Sequence, residues 1–70
     1  MLEMIEKMTV LVSDLEKNNA VVVACNVDSL QILIIAKIAG VPFEYGWDAK
    51  TKILFITCNG QVIEEMIYEL

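Results

Sequence analysis

The fold is decided by residues 29–39, which read SLQILIIAKIA. Asp28 precedes this apolar run and Gln31 lies three residues after Asp28, an arrangement typical of a helix N-terminus. Gly40 and Pro42 follow the run, and residues of these two types end helices. Within the run only Gln31 and Lys37 are strongly polar. We therefore predict a helix over 29–39 that is apolar around nearly its whole circumference.

Strands are predicted on both sides of this helix. Residues 20–25 (AVVVAC) form an apolar, β-branched run that fits a strand covered on both faces. Residues 41–47 (VPFEYGW) alternate between large apolar and other side chains, and their proline and glutamate indicate a sheet edge. Residues 52–58 (KILFITC) are apolar on both faces, and the turn residues 48–51 join them to the preceding strand as a hairpin.

Helices are also predicted at both ends of the chain. Apolar residues at positions 1, 4, 5, 8, 11, 12 and 15 have helical spacing, and Asn18 or Asn19 can end this helix in a left-handed conformation. A last helix is predicted to begin at Asn59-Gly60, because apolar residues recur at positions 62, 63, 66, 67 and 70. Glu64 and Glu65 would lie early in that helix, where its dipole favours acids.

The predicted order αβαββα defines one small α/β (α+β) domain over residues 1–70. A helical crossover makes the first two strands parallel, and the hairpin makes the third antiparallel to both. The doubly apolar third strand belongs in the centre. The prediction is therefore a three-stranded mixed sheet in order 1-3-2 with three helices, a split βαβ arrangement related to half of a ferredoxin-like fold.

Composition and charge exclude several functions. The net charge of −5 and the lack of arginine argue against direct nucleic-acid binding, and the lack of histidine removes the commonest general base and metal ligand. We predict a non-enzymatic protein with no catalytic residues, metal or cofactor. The N-terminus lacks the basic residues of a secretory signal and no apolar run reaches membrane-spanning length, so we expect a soluble cytoplasmic protein without membrane contact.

One ligand site is predicted where the first two strands end. A helix N-terminus binds anions there, aromatic rings can stack on a ligand, and a thiol there can be activated. Residues 39–44 (AGVPFE) resemble the helix-to-strand step of glutaredoxin-like domains, but Asp28 stands where the second active-site cysteine would lie, so no family is assigned. The alternative is that these residues have structural roles only. Asp28 would then cap the helix, the aromatic rings would belong to the core, and the Cys25 thiol would be buried and inert. The site residues are Cys25, Asn26, Asp28, Ser29, Tyr45 and Trp47.

The chain is also predicted to self-associate. Its 57% hydrophobic composition exceeds what so small a globule can bury, and the first strand leaves an unprotected sheet edge. The dimer interface is predicted at that edge or on the N-terminal helix, with Val21, Val23, Cys25, Met4, Met8 and Ile34 as its residues. The predicted function is a small homodimeric protein-interaction module. It would be an accessory or inhibitory protein that binds a basic macromolecular partner through its acidic helices. The alternative is a small-ligand (anion or nucleotide) or thiol-redox module.

Overall fold

The computed structural model describes residues 2–70, in which one helix precedes five strands. The elements are α1 (Leu2–Lys17), β1 (Val21–Val27), β2 (Gln31–Ile38), β3 (Val41–Asp48), β4 (Ile53–Cys58) and β5 (Gln61–Ile67). Each strand pairs antiparallel with the next, so the sheet order is β1-β2-β3-β4-β5. The chain is thus a small compact mixed α/β protein built as one meander under a single helix.

The N-terminal helix confirms its prediction over the described residues, while Met1 lies outside them. Met4 and Leu11 are buried on its inner face. The backbone N–H groups of Asn18 and Ala20 both donate to the carbonyl of Leu15, and Asn19 takes a left-handed φ of 68°. The helix therefore ends at the asparagine pair, as its sequence indicates.

The helix predicted over residues 29–39 is wrong, because Gln31–Ile38 forms strand β2. Ile32, Ile34 and Ala36 are buried, while Leu33 between them is exposed and Ile35 is half-buried, which is the alternation of a strand. Asp28 Oδ1 accepts hydrogen bonds from the N–H groups of the residues two and three positions later, at 2.8 and 2.9 Å. A helix N-cap makes the same two bonds, but here they close the β1–β2 hairpin.

Two turns with positive φ replace the predicted helix ends. Ala39 and Gly40 have φ of 52° and 79°, and Asn59 and Gly60 have φ of 53° and 77°. Two consecutive residues with positive φ are typical of the type I′ turn, whose twist matches the flanking strands of a hairpin. Because Asn59-Gly60 turns the chain back, the predicted last helix is wrong and Gln61–Ile67 forms β5.

These changes overturn the predicted topology. The three-stranded 1-3-2 sheet with three helices is contradicted by the five-stranded antiparallel meander, in which no strands are parallel among the described residues. The strand predicted over residues 41–47 at a sheet edge is β3, which lies in the centre, and its Pro42 is opposite Lys37. The β3–β4 hairpin is confirmed, and so is the edge position of β1.

The core lies between α1 and one face of the sheet. Ile32, Ile34, Trp47 and Leu54 are buried there, and α1 packs over β1 and β2. The residues after β5 extend this cover, because Tyr68 and Leu70 also pack against the core. Among residues 2–70, no helix or strand packs over the opposite face of the sheet.

Candidate functional site

The predicted ligand site is not assembled as a pocket. Trp47 and Tyr45 have exposed fractions of 0% and 4% in the core, so neither ring can stack on a ligand. Trp47 Nε1 donates a hydrogen bond of 2.8 Å to the carbonyl of Tyr68, and Lys7 Nζ lies 5.4 Å from the centroid of the Trp47 ring. Burial also raises the pKa of Tyr45 above its ordinary value of 10.0. Both aromatic residues therefore belong to the core of the protein.

The remaining members of that site lie on β1 and in the turn after it. Cys25 and Asn26 belong to the edge strand, and the Asp28 carboxylate accepts the turn hydrogen bonds described above. Two depressions touch these residues. One, of about 50 Å³, is lined by Asn26, Asp28, Gln31 and Leu33, and the other, of about 290 Å³, is an open groove along Ala24, Cys25, Asn26, Leu33 and Ile35. Ligand pockets usually enclose about 300–1,000 Å³ and are lined by a few convergent polar groups, so the first has no room for a nucleotide and the second is an open, mostly apolar groove. Ser29 lies in the same turn.

A second aspartate repeats this turn at the same end of the sheet. Asp48 Oδ1 accepts hydrogen bonds from Lys50 N at 2.8 Å and Thr51 N at 2.9 Å. The bond from Thr51 is the main cause that holds the pKa of Asp48 below its ordinary value, with Lys50 adding to it. Ala49 N donates to the carbonyl of Leu30 and joins the two turns. Both carboxylates thus fix loop geometry.

The residues predicted for a dimer interface separate into two groups. Met4 and Ile34 are buried in the core and Met8 is half-buried against it, so none of the three offers a free surface. Val21, Val23 and Cys25 are exposed on β1. The structure therefore leaves only the edge-strand group available to a partner.

Seven of the ten acidic residues lie on α1 or from β5 onward, and Asp28, Glu44 and Asp48 lie between these two regions along the chain. Glu64 and Glu65 belong to β5 and Glu69 follows it, so the second acidic helix that was expected does not exist. Two exposed ion pairs, Lys7 with Glu3 and Lys52 with Glu69, each have an N–O distance of 3.6 Å. Exposed pairs of this kind stabilise a fold by about 0–1 kcal/mol.

One acid has a close neutral partner. Tyr68 Oη donates a hydrogen bond of 2.7 Å to Asp14 Oδ2 and so ties the C-terminal tail to α1. This hydrogen bond, with burial and the negative charge of Asp14 as smaller causes, raises the pKa of Tyr68 to about 12.

The largest uncovered feature is the sheet face opposite α1, which we call the open face. Residues opposite each other in register point to the same side of a sheet, so alternate residues of every strand define it. Its apolar residues include Leu33, Ile35, Ile53, Phe55 and Ile67. Leu33 and Ile67 have exposed fractions of 40% and 66%, and the other three are half-buried.

The open face is shallow and has little polar chemistry. Gly46 contributes no side chain between Leu33 and Phe55, and Leu33 Cδ1 lies 3.9 Å from the position a Cβ of residue 46 would take. A groove of about 240 Å³ lies beside it, along Ile35 and Glu44. Across residues 2–70 no group of three or more acidic or cysteine side chains could hold a metal ion, and no polar side chain is buried.

Sequence reasoning missed the open face because the strand that supplies Leu33 and Ile35 was interpreted as a helix. For β5, which supplies Ile67 to the same face, the sequence did carry a signal. The dipeptide Asn59-Gly60 between two apolar runs indicates a hairpin. In the described part of the chain, no helix is long and apolar enough to cross a membrane. The chain matches no protein-family model, no curated protein and no solved structure.

Proposed function

We propose that this chain is a non-enzymatic protein-interaction module that works as a homodimer. The observation that supports this proposal is the uncovered apolar open face of the sheet. Antiparallel sheets with one solvated face normally carry polar residues on it, whereas this face carries Leu33 and Ile35 on the interior strand β2. Exposed contiguous apolar surface on a small protein is typical of an interaction site.

Several other features agree with a binding role. Trp47 and Tyr45, which were proposed to stack on a ligand, are core residues, and the carboxylates of Asp28 and Asp48 accept turn hydrogen bonds. The chain has no histidine to act as a base near neutral pH. Association requires exposed apolar surface, which the open face and β1 provide.

A second, macromolecular partner is predicted from the net charge of the chain alone. A net charge of −5 favours a basic protein surface, because opposite charges steer association. The acids available for it lie on α1 and along β5, so such a partner would meet one helix and one strand.

Sedimentation velocity of the purified chain tests the homodimer. At micromolar concentration we expect a species of twice the 7.9 kDa chain mass that dissociates on dilution. A single species at the chain mass throughout the micromolar range would contradict the proposal.

A further inference from the structure

We infer that the two copies of the homodimer pack through their open faces, so that ten strands form a two-layer sandwich with one α1 on each outer side. This inference rests on the proposed homodimer and names its surface. Two sheets packed face to face lie about 10 Å apart with their inner side chains interdigitated. Leu33, Ile35 and Phe55 of the open face would lie in the middle of that second core.

The dimensions of the open face suit such an interface. Five strands of six to eight residues, spaced about 4.8 Å apart with about 3.3 Å per residue, cover about 500 Å². Two copies would then bury about 1,000 Å², which reaches the lower limit of a specific protein interface. The covered part is about a tenth of the 4624 Å² surface of one copy.

The two sheet edges are less suited to the same role. The register between β1 and β2 shifts between Val22 and Ala24, which leaves Val23 as an extra residue in the edge strand. On the other edge, Ile56 pairs with Glu64 and Thr57 with Val62, which leaves Ile63 as the extra residue of β5. Bulges twist an edge and break its regular hydrogen bonds, and natural sheets use them to prevent edge-to-edge pairing.

The charges of the open face are compatible with a second copy. Lys37 and Glu44 lie on neighbouring strands of this face, and Glu65 lies near its border; all three are exposed. A two-fold axis makes the same patch meet itself, so each Lys37 can face a glutamate of the other copy. The outer surface of α1 is a poorer candidate, because acids such as Glu3 and Glu6 lie beside its exposed Leu2 and Ile5.

Four variants compared by sedimentation velocity test this inference. Leu33→Glu and Ile67→Glu place carboxylates on the open face. Leu33 lies on an interior strand, so Leu33→Glu should raise the dimer dissociation constant about a hundredfold or more, because an interface core tolerates unpaired charge poorly. Ile67 ends the edge strand β5 at the border of the face, so Ile67→Glu should raise the dissociation constant about tenfold. Leu30→Glu is the matched control, since Leu30 is 69% exposed in the β1–β2 turn outside the face. Val23→Lys places a charge on the edge strand. Both of these variants should remain dimeric.

Folding of each variant is checked by the fluorescence of Trp47, which is the only tryptophan and is buried. Ile67 lies in the last strand and is 66% exposed, so Ile67→Glu provides a folded face variant even where Leu33→Glu unfolds. If Val23→Lys is monomeric while both face variants remain dimeric, the sandwich is overturned and the homodimer itself stands. A monomeric wild-type chain overturns both proposals.

Discussion

Replacing Trp47 with phenylalanine tests whether this ring is a core residue. Trp47→Phe removes the 2.8 Å hydrogen bond to the carbonyl of Tyr68 and reduces a side chain that is fully buried. The lost hydrogen bond costs about 1 kcal/mol. The smaller ring costs about 1 kcal/mol more in lost burial and imperfect packing. We therefore expect the free energy of unfolding to fall by about 2 kcal/mol.

That loss is large for a chain of 70 residues. Domains have about 0.05–0.15 kcal/mol of stability per residue, which gives about 3.5–10 kcal/mol here. The variant should therefore remain folded, with its Tm lowered by about 8–16 °C. Urea unfolding followed by far-UV circular dichroism measures the change, with all samples at one chain concentration because a dimer's stability depends on it.

The matched control is Leu2→Ala, at an exposed position on α1, which should change stability by no more than about 0.5 kcal/mol. If Trp47→Phe were as neutral as this control, the ring would not be a core residue. The prediction of a ligand site at Trp47 would then regain its support.

Three further predictions concern the tail and the turns. Tyr68→Phe removes the hydrogen bond to Asp14 and should lower the free energy of unfolding by about 1 kcal/mol or less at this part-exposed site. Because the folded pKa of Tyr68, about 12, exceeds the ordinary 10.0, this contribution is complete below pH 10 and is lost as the pH rises through 12. Urea unfolding of the two proteins should therefore converge at that pH, and a constant difference in stability would contradict the prediction. Ala39→Asn should raise the free energy of unfolding by about 0.5–1 kcal/mol because asparagine tolerates positive φ better than alanine, and Asn59→Ala should lower it similarly; opposite signs in thermal unfolding would refute the turn assignment. Asp48→Ala should lower the Tm at neutral pH, because it removes the acceptor of the turn hydrogen bonds. Since the folded pKa of Asp48 is depressed, its stabilising contribution exists above pH 3.8 and disappears as the pH falls through the folded pKa. A Tm difference between the two proteins that persists in stronger acid would contradict this pH dependence.

Local patterns were enough to predict α1, β1 and the β3–β4 hairpin. α1 and β3 each have one dominant periodicity, and β1 is a β-branched run. The expected cover on both faces of β1 is wrong, because β1 is a mostly exposed edge strand. β2 was predicted wrongly because both of its faces are apolar, so the strand and helix periods fit equally well. The flanking residues did not decide between them, since Asp28 makes the same two hydrogen bonds in a hairpin turn as in a helix cap. At Asn59-Gly60 the hairpin signal was present, and the helical spacing of the residues after it was misleading.

The error in β2 also determined how the candidate site was predicted. A helix over 29–39 would have made the strands before and after it parallel, with a ligand site at their ends. Because residues 31–38 form a strand instead, Trp47 lies under α1 and Leu33 lies on the open face. The sequence did indicate an apolar surplus and an exposed β1. It could not place that surplus, because which side of β2 is covered depends on where α1 packs.

The most direct test of the face-to-face dimer is an isotope-filtered nuclear Overhauser experiment on a mixture of ¹³C-labelled and unlabelled chains. Such an experiment detects only contacts between two copies. We expect intermolecular signals from the methyl groups of Leu33, Ile35 and Ile67, and none from the buried Ile32. Intermolecular signals confined to Val23 on β1, with none from the open face, would contradict the face-to-face dimer.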